Sequence, residues 1–279
     1  FSVQNVDSVA ADLTVKLFAV GSTTPITVTV SNLPAGAAKY FDLGTLSNIT
    51  SADFNGSATI EAVQTGTSTP GSIVASALEL SVGDIGAKAF EGVSEGANTL
   101  YMPSAFCKFS PAHNITSAFA IQNVDSTNTA QVTVTYSNGK VHGPVPITPG
   151  AKASFDGCAP AAGNPVGFIG SAVITSTGAK IVGMGKIDGA GLTTAFNGVA
   201  TGADTVAAPY VRWTSTHWDD STRQRVNIAI QNVSGGTLAA GAVTVTFYDL
   251  NGTKVGSLSN TAELADGGKF STNANTLPG

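Results

Sequence analysis

The chain has 279 residues, with 13 Lys and Arg against 18 Asp and Glu, and only 11% of it is charged, less than half of the roughly 25% usual in soluble domains. A net charge of −5 with so few cations supplies no basic field for a phosphate backbone. No run of 18 or more apolar residues is long enough to cross a membrane as a helix, and β-branched residues are too common for a disordered acidic chain.

Taken in chain order, the sequence repeats itself. It opens on Phe1-Ser2-Val3-Gln4-Asn5-Val6-Asp7-Ser8, an alternating segment that runs into a polar turn. Ile26-Thr27-Val28-Thr29-Val30 follows with period two, then a glycine-to-aromatic stretch from Gly36 to Phe41. Next come Phe54-Asn55-Gly56-Ser57-Ala58-Thr59-Ile60, Phe90-Glu91-Gly92-Val93 and Asn98-Thr99-Leu100 with Pro103. The series then restarts at Phe119-Ala120-Ile121-Gln122-Asn123-Val124-Asp125-Ser126, with Val132-Thr133-Val134-Thr135-Tyr136 and Gly150 to Phe155. It continues through Phe168-Ile169-Gly170-Ser171-Ala172-Val173-Ile174, Phe196-Asn197-Gly198-Val199 and Asp204-Thr205-Val206 with Pro209. A third start lies at Ile228-Ala229-Ile230-Gln231-Asn232-Val233-Ser234, with Val243-Thr244-Val245-Thr246-Phe247 and Gly267 to Phe270. Offsets of roughly 110 residues fit a small domain and exclude a solenoid turn.

Within each unit period two dominates and helical spacing is absent. Turn signals such as Ser137-Asn138-Gly139, Thr148-Pro149-Gly150 and Asn251-Gly252 divide the runs. The middle unit predicts strands near 119–124, 130–136, 140–147, 151–156, 168–175, 179–187 and 192–199, with an eighth within 104–109. The expected fold is all-β: tandem immunoglobulin-like antiparallel β-sandwich domains over 1–103, 104–208 and 209–279. The buried Trp between paired cysteines of antibody domains is missing, so only the general architecture is implied. The first unit lacks a lead-in strand and the third holds only its first half. Two readings follow: the chain is a window on a longer array, or strands of neighbouring subunits complete the end units.

Cys107 and Cys158 are the only cysteines. With no CxxC for a metal, they are expected to form one disulfide that closes a loop of roughly 50 residues and is worth on the order of 4 kcal/mol. Such a bond favours an oxidising compartment.

One segment differs in composition. Between Tyr210 and Arg225 lie both Trp and all the Arg of the chain. Trp, Tyr and Arg are enriched at interaction hot spots, and Tyr210, Arg212, Trp213, His217, Trp218, Arg223 and Arg225 are candidates for an interface or a ligand, a glycan among them. Asp219 and Asp220 are a weak Ca²⁺ candidate, since calcium needs six to eight oxygens. His113, His142 and His217 show no metal-ligand spacing, and no Gly-x-Ser-x-Gly elbow occurs with a triad. No catalytic residue, cofactor or nucleic-acid partner is expected. Asn48, Asn55, Asn114, Asn232 and Asn251 head N-glycosylation sequons.

The aliphatic-x-aliphatic-Gln-Asn-Val strand, the polar turn, the Val-Thr-Val-Thr-Tyr run and the Gly-centred turn resemble the tandem immunoglobulin-like repeats of bacterial cell-surface and secreted proteins. That resemblance implies an extracellular or surface location and a structural role as filament, stalk, sheath or adhesin, and it implies no catalytic residues. The function expected is that of a self-associating structural subunit of an extracellular array or filament. The alternative is an adhesin that binds glycan through residues 210–225.

Overall fold

Alternating side chains become alternating burial. A computed structural model describes residues 1–49, 53–80, 86–212 and 226–277, and almost all regular structure among them is β. The first unit contains β1 (Ser2–Asn5), β2 (Ala11–Ala19), β3 (Ile26–Leu33), β4 (Ala38–Tyr40), β5 (Gly56–Gln64), β6 (Ile73–Leu80) and β7 (Ala87–Glu91). The second contains β8 (Thr99–Cys107), β9 (Thr116–Asn123), β10 (Ala130–Tyr136), β11 (Val141–Ile147), β12 (Lys152–Asp156), β13 (Phe168–Thr177), β14 (Ile181–Gly189) and β15 (Leu192–Asn197). The third contains β16 (Ile228–Gln231), β17 (Thr244–Tyr248), β18 (Lys254–Ser259) and β19 (Lys269–Thr272).

The second unit is a complete sandwich. One sheet has the order β11-β10-β13-β8 and the other β12-β9-β14-β15, with every neighbouring pair antiparallel. Val132, Val134, Tyr136 and Ile174 from the first sheet meet Phe119, Ile121 and Ile181 from the second, and none is more than 1% exposed. Each such side chain contributes about 1.5–3 kcal/mol on burial. Thr133 and Thr135 point the other way, as period two requires. The connectivity is not that of an antibody domain, where the strand orders are ABED and CFG. Here the first strand of the unit pairs with the sixth, and the second with both the fifth and the seventh.

The first unit follows the same plan, with sheets β4-β1-β6-β7 and β3-β2-β5. Among the described residues it has a counterpart for every strand of the second unit except β8. The third unit shows β16 paired with β19 and β17 with β18, the counterparts of β9, β12, β10 and β11.

Strand register corrects three expectations. Leu17 faces Ala58 as Tyr136 faces Ala172, so the counterpart of Val132–Tyr136 is Leu13-Thr14-Val15-Lys16-Leu17 in β2. Ile26–Leu33 is β3, the counterpart of β11; every strand alternates with the same period, so short runs align equally well one strand out of place. Phe270 faces Ile230, whereas Phe155 faces Phe119, so the position matching Phe155 is Thr272 opposite Ile228. The lead-in strand begins at Thr99, so the boundary expected at 103/104 falls inside β8, all of which belongs to the second unit.

Cys107 and Cys158 form the expected disulfide, with Cα atoms 4.8 Å apart. It ties the end of β8 in one sheet to the turn that follows β12 in the other.

Candidate functional site: the junction between repeats

The Gln-Asn-Val motif does two different jobs. Its Asn faces inward. Asn5, Asn123 and Asn232 are 0%, 0% and 3% exposed, and each uses its amide to staple the polar turn that follows. Asn123 donates to the Asn128 and Ile147 carbonyls and accepts from the Asp125 amide, while Asn232 donates to Gly236 and Leu264 and accepts from Ser234. A buried amide satisfied in this way holds the turn against the sandwich.

The Gln one residue earlier faces the neighbouring unit. Gln122 Nε2 donates to its own Gly150 carbonyl at 3.1 Å and to the Ala58 carbonyl of the first unit at 3.3 Å. Ser57 Oγ, also of the first unit, donates to the same Gly150 carbonyl at 2.7 Å. The second junction repeats each bond. Gln231 donates to Gly267 O at 3.2 Å and to Ala172 O at 3.1 Å, and Ser171 Oγ donates to Gly267 O. One unit therefore supplies a Gln and a glycine-turn carbonyl, and the unit before it supplies the Ser and Ala of its Gly-Ser-Ala strand.

The turn carbonyl is aimed by backbone geometry. Gly36, Gly150 and Gly267 all have φ of +73°, a conformation glycine adopts without strain. At Gly150 a Cβ would also collide with the Phe18 ring of the first unit, which packs on the turn. In the first unit Gln4 makes only the bond within its own unit, to Gly36 O at 3.1 Å, and is exposed.

Charges add to each junction differently. Between the first two units β7 lies against β15, and Lys88, with its side chain 7% exposed, reaches Asp188 at 2.8 Å and Glu79 at 3.6 Å. Glu79 also holds Lys186. Burial pushes the Glu79 carboxyl up, but Lys186 and Lys88 outweigh it and hold it below its ordinary value. Burial pulls the Lys88 ammonium down, and Asp188 with Glu79 raises it above the ordinary value. Between the second and third units Lys269 stands over the Phe106 ring, 4.5 Å from its centroid, and burial holds its pKa down to about 8.

Of the interface candidates read from the sequence, Tyr210 and Arg212 lie among the described residues. Tyr210 is 61% exposed and accepts a hydrogen bond from Arg212 Nη1 at 3.3 Å, while the Arg212 carbonyl accepts from the Val226 amide. Trp213, His217, Trp218, Asp219, Asp220, Arg223 and Arg225 lie outside the described residues. No cluster of three or more His, Cys, Asp or Glu with metal-binding geometry exists among the described residues. No described helix is long and apolar enough to cross a membrane. Asn48, Asn55, Asn114 and Asn251 are exposed. Asn232 is the exception among the sequons: its side chain is buried, and a glycan there would have to displace its bonds to Gly236 and Leu264.

Sequence reasoning used Gln-Asn-Val and Gly-Ser-Ala as markers of the repeat and missed that they meet. The available signal was their joint recurrence, since neither an exposed-face Gln nor a strand Ser is needed for a sandwich core. No protein family, curated protein or solved structure matches the chain.

Proposed function

We propose that this protein is a structural subunit of an extracellular array or filament, in which β-sandwich repeats stack through the Gln/Gly-Ser-Ala junction. The observation that carries the reading is the reuse of one four-residue bonding pattern, Ser57-Ala58 with Gln122-Gly150 and Ser171-Ala172 with Gln231-Gly267, at both junctions of the chain. A bonding pattern reproduced at both junctions supports a constant offset between successive units, which a linear assembly requires and an isolated binding module does not. The contacts are mostly neutral, so they stack without like-charge repulsion. The disulfide supports an oxidising, extracellular setting. Electron microscopy and sedimentation of the purified chain test the reading. Ordered polymers that grow with concentration are expected; a monodisperse monomer at every concentration would refute it.

A further inference from the structure

β3 lies at the edge of its sheet by the plan of the repeat. The order β3-β2-β5 leaves one side of β3 without a strand among the described residues, as β11-β10-β13-β8 leaves one side of β11. The two edges differ in chemistry. β11 contains Pro144 and Pro146, which have no N–H to offer a neighbour. Leu13 faces Val30 as Val132 faces Val145, so Pro146 stands at the place of Ser31. β3 has neither proline nor charge anywhere in Ile26–Leu33, whereas edge strands usually carry one or the other to prevent pairing.

Hydrogen bonding locates the open side of β3. Asn48 Nδ2 donates to the Thr27 carbonyl at 3.4 Å, a long bond in an exposed setting. Thr27 therefore turns its peptide groups away from β2, and alternation turns those of Thr29 the same way. The Thr27 and Thr29 side chains are exposed on the outer face, while Ile26, Val28 and Val30 are half-buried against the core of the first unit. The segment reads almost alike in both directions about Val28: Ile26 balances Val30, and Thr27 balances Thr29. An antiparallel second copy of the strand thus sets aliphatic against aliphatic inside, hydroxyl against hydroxyl outside, and Val28 against Val28. The residues that would exchange hydrogen bonds are Thr27 and Thr29 of the second copy, the two whose peptide groups face outward.

We infer that β3 of one copy pairs antiparallel with β3 of a second copy about a two-fold axis at Val28, joining two three-stranded sheets into one of six strands. The contact is isologous, since the same segment gives and receives on both sides. It deepens the self-assembly reading, on which it rests, by naming a side-to-side contact distinct from the stacking junction. Pairing replaces the long Asn48 bond and satisfies the Thr27 and Thr29 N–H groups. The inner register is specific, because a slip by one residue would set valine against threonine along the whole segment.

The two-fold axis makes the test specific. Val28 pairs with its own copy at a non-hydrogen-bonded position, where Cα atoms lie about 4.5 Å apart, within disulfide range. Full-length Val28→Cys under mild oxidation should form a homodimer linked 28 to 28, mapped by peptide mass. Its rate should exceed that of Val30→Cys by about tenfold. Position 30 is half-buried on the same face, but it would lie roughly 13 Å from position 30 of the second copy, too far to bridge. Adding Thr29→Pro to the Val28→Cys chain should abolish the linkage and leave the urea midpoint unchanged, since that N–H has no partner in β2. Linkage that survives Thr29→Pro would overturn the pairing. Polymers seen by microscopy without preferential 28–28 linkage would overturn this contact and leave the self-assembly reading standing; monomers without linkage would overturn both.

Discussion

Gln4 and Gln122 occupy the same place in the same motif, but of the two only Gln122 bonds to another unit among the described residues. Substituting each with Ala therefore separates the bond made within a unit from the bond made across the junction. Gln122 makes two hydrogen bonds in a half-buried setting, to Gly150 O and Ala58 O. A typical net contribution is about 1 kcal/mol per bond, so Q122A should lose about 2 kcal/mol, roughly half of it at the junction. Gln4 makes one exposed bond, to Gly36 O, and Q4A should stay within about 0.5 kcal/mol of the parent chain. The expected gap is about 1.5 kcal/mol. Urea unfolding measures it, with hydrogen exchange in β9 and β5 assigning the loss to the second and first units. Q231A should follow Q122A, since its bonds have the same partners and lengths within 0.2 Å. A Ser57→Ala, Gln122→Ala cycle should show coupling of about 0.5–1 kcal/mol through the shared Gly150 carbonyl. Equal losses for Q4A and Q122A would refute the claim that the Gln serves the junction.

Further outcomes can be read from single sites. Reduction of Cys107–Cys158 should destabilise the second unit by roughly 4 kcal/mol for a closed loop of 51 residues and leave exchange in the first unit unchanged; melting with and without reductant checks it. Asn123→Ala should cost about 3 kcal/mol, because it removes three bonds and strands the buried Ile147 carbonyl, measured by the same urea unfolding. Lys269 has a folded pKa of about 8, below the ordinary 10.5, so the unfolded chain binds the extra proton and the third unit should gain stability as pH rises from 8 towards 10.5. Lys269→Met should flatten that rise in thermal melts. Glu79 is held below its ordinary 4.5, so its contribution is present above that value and fades as pH falls below it. Contact between β7 and β15 should loosen in acid, seen as faster exchange in β7, and Glu79→Gln should remove the dependence.

The fold class was legible because one face of each strand is apolar and the next is not. All seven strands expected in the middle unit occur there, because its buried positions are filled by unmistakable core residues such as Phe119, Val134 and Ile174. The lead-in strand was placed too late. Its first half, Thr99-Leu100-Tyr101-Met102, is apolar on both faces, and a bulge between Met102 and Ala105 breaks the period there. Strand equivalence across units was not legible, since β2 and β3 alternate alike and only hydrogen-bond register tells them apart. The junction was hidden for a different reason. Its acceptors are backbone carbonyls, which carry no side-chain signature, so Ala58 and Ala172 looked like filler.

The scarcity of charge takes on a structural sense at these contacts. The stacking junction is made of an amide, a hydroxyl and two carbonyls, and it recurs between the second and third units without the Lys88, Glu79 and Asp188 cluster. The ions at the two junctions therefore differ, and the shared bonding pattern does not depend on either set. A contact of neutral groups keeps its strength across salt, whereas exposed ion pairs are screened within about 10 Å at 0.1 M.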